Sequence, residues 1–277
     1  MGGGNGSKQV LTTCGSRLPL SKFKIFKTMI VDGSSLLYRV MHNSSNNWLS
    51  LFHNFCNKFD HSKLIFIFDG RPPPDKSRCI EKRKTNSTKK TLANPTTFKE
   101  VKITLNDITQ CKKLLDSLGI QYIHIDTLEA DAIIKYLSKS GIVDVVFSQD
   151  SDMFRIGCKN VCLDIDYKNN TILCIDFDAC LKELGITQEQ FNEAYDAAGT
   201  DYNDNLTYCK FSETLELIKK YNNIENILEN LDEINSGKIS RIIKEPKNFN
   251  FIRTREIFDR NISESDIKSI ARQLNNC

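Results

Sequence analysis

Five apolar runs rich in β-branched and aromatic residues punctuate the chain at 27–32, 63–69, 120–125, 143–148 and 160–164. Runs of that length and composition predict buried strands. Between them, apolar residues recur at helical spacing: Leu36, Leu37, Val40 and Met41, then Leu114, Leu115 and Leu118, then Ala130, Ile133, Ile134 and Leu137. Strands alternating with helices predict an α/β fold with a mixed, mainly parallel central sheet flanked by helices. Beyond Asp178 the pattern turns helical: 179–184 stops at Gly185, Thr187 caps a helix through Ala198, and 211–221 and 224–231 follow. Three regions result. Residues 1–24, rich in Gly, Ser and Lys and without a sustained period, predict a flexible arm. Residues 25–205 carry the α/β body with an arch or loop over 71–110, and 206–277 form a helical C-terminal subdomain.

Length and composition fit this picture. The 277 residues allow a full core, at about 150 residues per domain. The ten cysteines show no Cys-x-x-Cys pair and no His at ligand spacing, which argues against a zinc site or a disulfide framework and for a reducing compartment. No run approaches the length of a membrane span and no apolar signal core opens the chain, so an intracellular, unsecreted protein is expected. The opening Met1-Gly2 misses a myristoylation pattern because the hydroxyl residue, Ser7, falls one place late.

Charge is distributed unevenly. The formal net charge is only +3, yet Arg71, Lys76, Arg78, Lys82, Arg83, Lys84, Lys89 and Lys90 crowd one segment against Asp75 and Glu81. Such a block either holds a polyanion or is a solvated charged loop.

Acidic residues end the apolar runs: Asp32, Asp69, the Asp150/Asp152 pair, and further on Asp201, with Glu129 and Asp131 opening a helix. A carboxylate at the end of a buried strand is costly unless a cation or hydrogen bonds compensate it. In open α/β sheets, ligands bind beyond the carboxyl ends of the strands. The seven acids therefore read as one divalent-metal site, with oxygen donors suited to Mg²⁺, or to Mn²⁺ as the alternative. Two such ions drive phosphodiester hydrolysis without a histidine base, and the four histidines, at 42, 53, 61 and 124, are expected to be surface or core residues. Each acid also has a structural reading as a turn or cap, and Asp126 with Glu129 fits a capping box.

Taken together, the motifs resemble the flap endonuclease (XPG/FEN) family of structure-specific 5′-nucleases, within the PIN-like superfamily. Val31-Asp32-Gly33-Ser34-Ser35 is similar to the family's first aspartate motif and Asp69-Gly70-Arg71-Pro72-Pro73 to its Asp-Gly-x-Pro-Pro element. Glu129-Ala130-Asp131-Ala132, Asp150-Ser151-Asp152 and Gly199-Thr200-Asp201-Tyr202 are similar to the three that follow. The resemblance implies that the seven carboxylates are metal ligands. Asp204, in a stretch that resembles the Asp-x-x-Asp-Asn form of bacterial and phage 5′-nucleases, becomes an eighth. It further implies that Lys76 and Arg83 steer the scissile phosphate, that Tyr38 stacks on an unpaired base, and that Arg71, Arg78, Lys82 and Lys84 contact nucleic acid.

The implied activity is two-Mg²⁺ hydrolysis of DNA near single-strand to duplex junctions, in replication, repair or recombination. The implied setting is nuclear, cytoplasmic or viral. The expected partner is DNA with a 5′ flap or branch, with RNA as the alternative; no clamp-binding motif is seen, and a monomer is expected with the oligomeric state left open. The other readings are a PIN-like ribonuclease or 5′-exonuclease on RNA, and a catalytically weak nucleic-acid-binding scaffold. One departure stands out. Where the family has a Gly-x-Gly-Pro hairpin that grips duplex backbone and K⁺, this chain has Tyr208 and Lys210, a degenerate helix-hairpin-helix.

Overall fold

The computed structural model describes residues 6–26, 28–44, 46–93 and 101–275. Its strands are β1 (Ser16–Pro19), β2 (Met29–Asp32), β3 (Leu64–Phe68), β4 (Gln121–His124), β5 (Val145–Phe147), β6 (Asn160–Asp166) and β7 (Thr171–Asp176). They form a seven-stranded sheet in the order β1-β7-β6-β5-β2-β3-β4. β2 pairs in parallel with both β3 and β5, and β3 pairs in parallel with β4. The turn at 167–170 between the neighbours β6 and β7 is too short for a parallel crossover, so that pair is antiparallel. The sheet is mixed and mainly parallel, as the alternation of strands and helices predicts. All five strands expected from the apolar runs are present; β1 and β7 are additional.

The chain divides into two compact units: Leu18–Gln149 with Cys162–Ile172 and Asn261–Cys277, and Met1–Arg17 with Asp150–Val161 and Leu173–Arg260. In the first unit β2 and β3 are buried along their whole length, the pattern of parallel strands covered on both faces. Aromatic rings fill the space around them: Phe55 lies 4.7 Å from Phe147 and Phe52 lies 5.2 Å from Phe66, centroid to centroid. The second unit has its own aromatic core, in which Phe191 contacts Phe177 at 4.8 Å and Phe211 at 5.3 Å. The helix Gln188–Ala197 is capped there by Thr187 in a full capping box with Gln190.

Three expectations need correction. Residues 7–25 are not a loose arm: they form a helix (Ser7–Thr13), β1 and a 3-10 turn, with Leu11 fully buried. That helix packs on Phe211–Tyr221, and one buried leucine in a glycine-rich context leaves no periodic trace. Of the arch over 71–110, residues Ser77–Ala93 are a continuous helix and Leu105–Leu118 another, while 94–100 lie outside the described residues. Polar composition hid the first helix, because its stability does not come from a wide apolar stripe. Cys162 and Cys174 are disulfide-bonded, a single linkage that no close cysteine spacing announces. The other described cysteines are thiols. Burial pushes those of Cys56 and Cys111 up to about 12, which makes them core groups rather than nucleophiles.

The last helix, Glu264–Asn275, belongs to the strand-rich unit and not to the helical one that precedes it in sequence. Gln273 explains the placement. Its amide accepts from the His124 main-chain N–H at 2.9 Å and donates to the His124 carbonyl at 3.2 Å, serving the outer edge of β4 as an added strand would. Phe66→Ala should cost about 3–5 kcal/mol, the usual range for emptying a buried aromatic site, measured as a loss of unfolding free energy in urea.

Candidate metal and nucleic-acid site

In the strand-rich unit, β2 and β3 run side by side and end in Asp32 and Phe68-Asp69. Asp32 is only 5% exposed. It caps the helix Gly33–Asn43 by accepting from the Ser35 N–H at 2.9 Å, and its second oxygen accepts from Ser148 Oγ at 2.7 Å. Asp69 accepts from the Ala130 N–H at 2.8 Å while its own N–H donates to Ser34 Oγ at 3.0 Å. The expected capping box of Asp126 and Glu129 is not formed: Glu129 is the N-cap of Ala130–Lys139, and its side chain makes no capping bond to that helix. The first amide of that helix is met by Asp69 instead. A long-range carboxylate replaces the local one, which ties the end of β3 to the start of the helix bearing Asp131.

Gly70 makes this possible. Its N–H donates to the Leu128 carbonyl and that of Arg71 to the Asp126 carbonyl, both at 2.7 Å. A Cβ at residue 70 would stand 2.2 Å from the Ile125 carbonyl oxygen and 2.6 Å from that of Leu128, so only glycine permits the approach.

Lys76 reaches Glu129 at 2.7 Å, with both side chains largely shielded. Arg71, Arg78, Lys82, Arg83 and Lys84 are exposed, the last four on the helix Ser77–Ala93. Tyr38 is 50% exposed on Gly33–Asn43, with its ring stacked 6.2 Å from that of His42. His124, expected to be incidental, lies with Nδ1 2.6 Å from Lys112 Nζ. Burial and the Lys112 charge both lower its pKa, so the ring is neutral and accepts from the ammonium through Nδ1.

The second unit holds Asp150, Asp152, Asp201 and Asp204. Asp152 is 2% exposed. It accepts from Tyr195 OH at 2.5 Å, and its N–H donates to Asp150 Oδ1 at 3.0 Å. Burial, then the Asp152 and Asp150 charges, raise the Tyr195 pKa well above its ordinary value. The phenol therefore keeps its proton for Asp152, and Ser151 Oγ, 2.8 Å away, donates to Tyr195. Behind this pair Arg155 grips the fully buried Asp196 through two 3.0 Å bonds. Burial pushes the Asp196 carboxyl up to about 6 against the pull of Arg155.

Asp201 and Asp204 flank Asn203, which is 4% exposed. Asn203 donates to the Asp196 carbonyl at 3.1 Å and accepts from the Asn250 N–H at 2.6 Å. Gly199 precedes this turn at φ +91°.

Thus Asp32, Asp69, Glu129 and Asp131 share one unit and Asp150, Asp152, Asp201 and Asp204 the other. Among the described residues no three His, Cys, Asp or Glu side chains are gathered closely enough to hold a metal ion. The donor set nevertheless fits a hard cation: carboxylates at strand ends, two of them nearly buried, each oriented by a hydroxyl or amide donor as ligands of a metal are oriented by their outer partners. Sequence reasoning missed those donors, Ser148 and Tyr195. Tyr195 sits within a helical apolar stripe with Phe191 and Ala194 and gives no sign of a polar task.

The XPG I-region family matches residues 119–201. Flap endonuclease 1 of Anoplopoma fimbria is 29% identical over 237 residues, 74% of this chain and 62% of that protein. The catalytic core of Rad2 in complex with DNA substrate shares the fold with a TM-score of 0.70 at 21% identity, over 98% of this chain and 81% of that one. The Holliday junction-resolving enzyme GEN1 in complex with product DNA and Mg²⁺ does so with a TM-score of 0.64 at 17% identity, over 96% and 67%. The chain thus carries an XPG I-region over residues 119–201 and is similar to flap endonuclease 1. It spans about six-tenths of the length of the first curated relatives it matches.

Two substitutions probe the scaffold of the site. Gly70→Ala should destabilise by about 1–3 kcal/mol, as overpacking does, seen as a lowered urea midpoint. Arg155→Met should cost about 3–5 kcal/mol at neutral pH by leaving the Asp196 carboxylate buried and alone, whereas Arg155→Met with Asp196→Leu should recover most of that loss.

Proposed function

We propose that the protein is a Mg²⁺-dependent, structure-specific 5′-nuclease that hydrolyses DNA phosphodiesters near junctions of single strand and duplex, in replication, repair or recombination. The observation that carries the proposal is the tie between Asp69 and Ala130. It brings the end of a buried strand, the start of the helix bearing Asp131, and Glu129 with its partner Lys76 into one framework.

The candidate ligands are Asp32, Asp69, Glu129, Asp131, Asp150, Asp152, Asp201 and Asp204. Two Mg²⁺ ions, or Mn²⁺ in their place, supply Lewis acidity for an in-line displacement at phosphorus. The protein's own groups position the substrate. Lys76, held by Glu129, keeps an ammonium at the rim. Arg83, with Arg71, Arg78, Lys82 and Lys84, presents positive charge to the phosphates, and Tyr38 offers an accessible ring face to an unpaired base.

The test is cleavage of end-labelled 5′-flap DNA beside nicked duplex, single strand and the RNA equivalent. Cutting at the junction with Mg²⁺, abolished by EDTA and by Asp150→Ala or Asp152→Ala, is expected; preferential cutting of RNA would replace the DNA reading. Arg83→Ala should lower kcat, by as much as about 10²–10³-fold if it meets the phosphate chiefly in the transition state, and leave the Kd for DNA nearly unchanged. Tyr195→Phe should weaken Mn²⁺ binding by about 10–100-fold, read by titration calorimetry without substrate.

A further inference from the structure

We infer that the strand-rich unit carries a binding site for a small aromatic monoanion, in a cleft at the amino ends of β2 and β3; the inference does not rest on the nuclease reading above.

Met29 and Leu64 open β2 and β3 and stand side by side in register. Asp32 closes β2 at its other end, ~10 Å away at the usual rise of about 3.3 Å per residue. Ligands of a parallel sheet gather beyond the carboxyl ends of its strands, so a cavity at the amino ends stands apart from the carboxylates.

The cleft has a volume of about 720 Å³, within the roughly 300–1,000 Å³ of small-molecule sites. Leu20, Phe26, Met29, Phe59 and Leu64 line it. Two phenyl rings and a thioether favour a flat aromatic body. The walls are fixed before binding, which lowers its entropic cost. The Leu20 N–H donates to the Asn170 carbonyl at 2.9 Å, the Phe59 N–H to that of Cys56 at 3.1 Å, and the Lys63 N–H to that of Asp60 at 3.1 Å. Asp166 holds the turn that carries Asn170 by accepting from the Lys168 and Asn169 N–H groups, each at 3.0 Å.

Charge selects the sign of the ligand. The lining carries Lys58, exposed, and Lys63, half-buried, against one acid, Asp60. Asp60 turns Oδ1 to Ser62, accepting from its N–H at 3.1 Å and its hydroxyl at 2.8 Å. Lys58 Nζ donates to Asn170 Oδ1 at 3.3 Å. An ammonium has three donors, so that contact aims the group and leaves N–H to meet an anion. A single anionic group on an aromatic body matches a cavity that is apolar within and cationic at its edge.

The experiment is fluorescence titration of the full chain, in EDTA, with anilinonaphthalene sulfonate, an aromatic monoanion, beside N-phenylnaphthylamine, its neutral counterpart. A single sulfonate site per chain is expected, with a Kd about tenfold or more below that of the neutral dye, the usual worth of a hydrogen bond to a charged group. Lys58→Ala/Lys63→Ala should raise the sulfonate Kd about tenfold and leave that of the neutral dye unchanged. Ser21→Trp, which sets a large ring at the exposed mouth of the cleft, should abolish binding of both. Equal binding of the two dyes, several equivalent sites, or binding untouched by either variant overturns the inference. So does a wild-type dimer in sedimentation that Ser21→Trp disperses, which would assign the cleft to a second copy of the chain. Should a variant fail to fold, hydrogen exchange of the wild type decides: slowed exchange over residues 57–64 with the sulfonate is expected, and its absence overturns the inference.

Discussion

A carboxylate at the end of a buried strand remains charged only where the protein supplies donors to replace water. This constraint organises the strand-rich unit. Asp32 takes a helix N-terminal amide and Ser148; Asp69 takes the first amide of a helix that begins some sixty residues later in the chain. Helix N-termini are natural partners for such groups, because their first N–H donors lack intrahelical acceptors and carry partial positive charge. The same bonds that stand in for water also fix where these acids point. Capping therefore accounts for the placement of these residues and is compatible with the metal role proposed for them.

The second unit solves the problem with a side chain. Tyr195 is buried and pushed far from ionisation, which turns its hydroxyl into a permanent donor toward Asp152. Arg155 and Asp196 lie beneath as a closed pair, so the wall behind the Asp150-Ser151-Asp152 turn is polar yet hydrogen-bonded. A half-satisfied network at this depth would be less stable than an apolar core. Here each member has a partner.

Much of this was legible in the sequence. The runs ending at Asp32 and Asp69 became β2 and β3 because a short β-branched and aromatic stretch has few other places to go. Thr187 and Gly185 marked helix ends by local chemistry alone. What was hidden depends on partners remote in sequence. The capping box at Asp126 and Glu129 was locally sound and lost to Asp69, which competes for the same amide from another strand. β1 and the helix Ser7–Thr13 draw on tertiary packing that a glycine-rich segment does not advertise. Tyr195 follows the apolar period of its helix, and only the fold shows that its hydroxyl has a carboxylate to serve. The carboxylates were identifiable as a set from the resemblance, but their division between two units follows the path of the chain, which no spacing rule contains.

The contact of Gly70 and Arg71 with 125–128 is made entirely by main-chain atoms. Apart from the glycine, these bonds do not depend on side-chain identity, so the exposed Asp126 and Thr127 can vary without breaking them, whereas Ile125 is held by its burial. The length of the segment is what cannot change. Inserting or deleting a single residue there would put the helix Ala130–Lys139 out of phase by about 100° at 3.6 residues per turn and change the direction of Asp131 in its first turn, although every carboxylate remained in the chain. At this position the determinant carried by the sequence is a count rather than a composition.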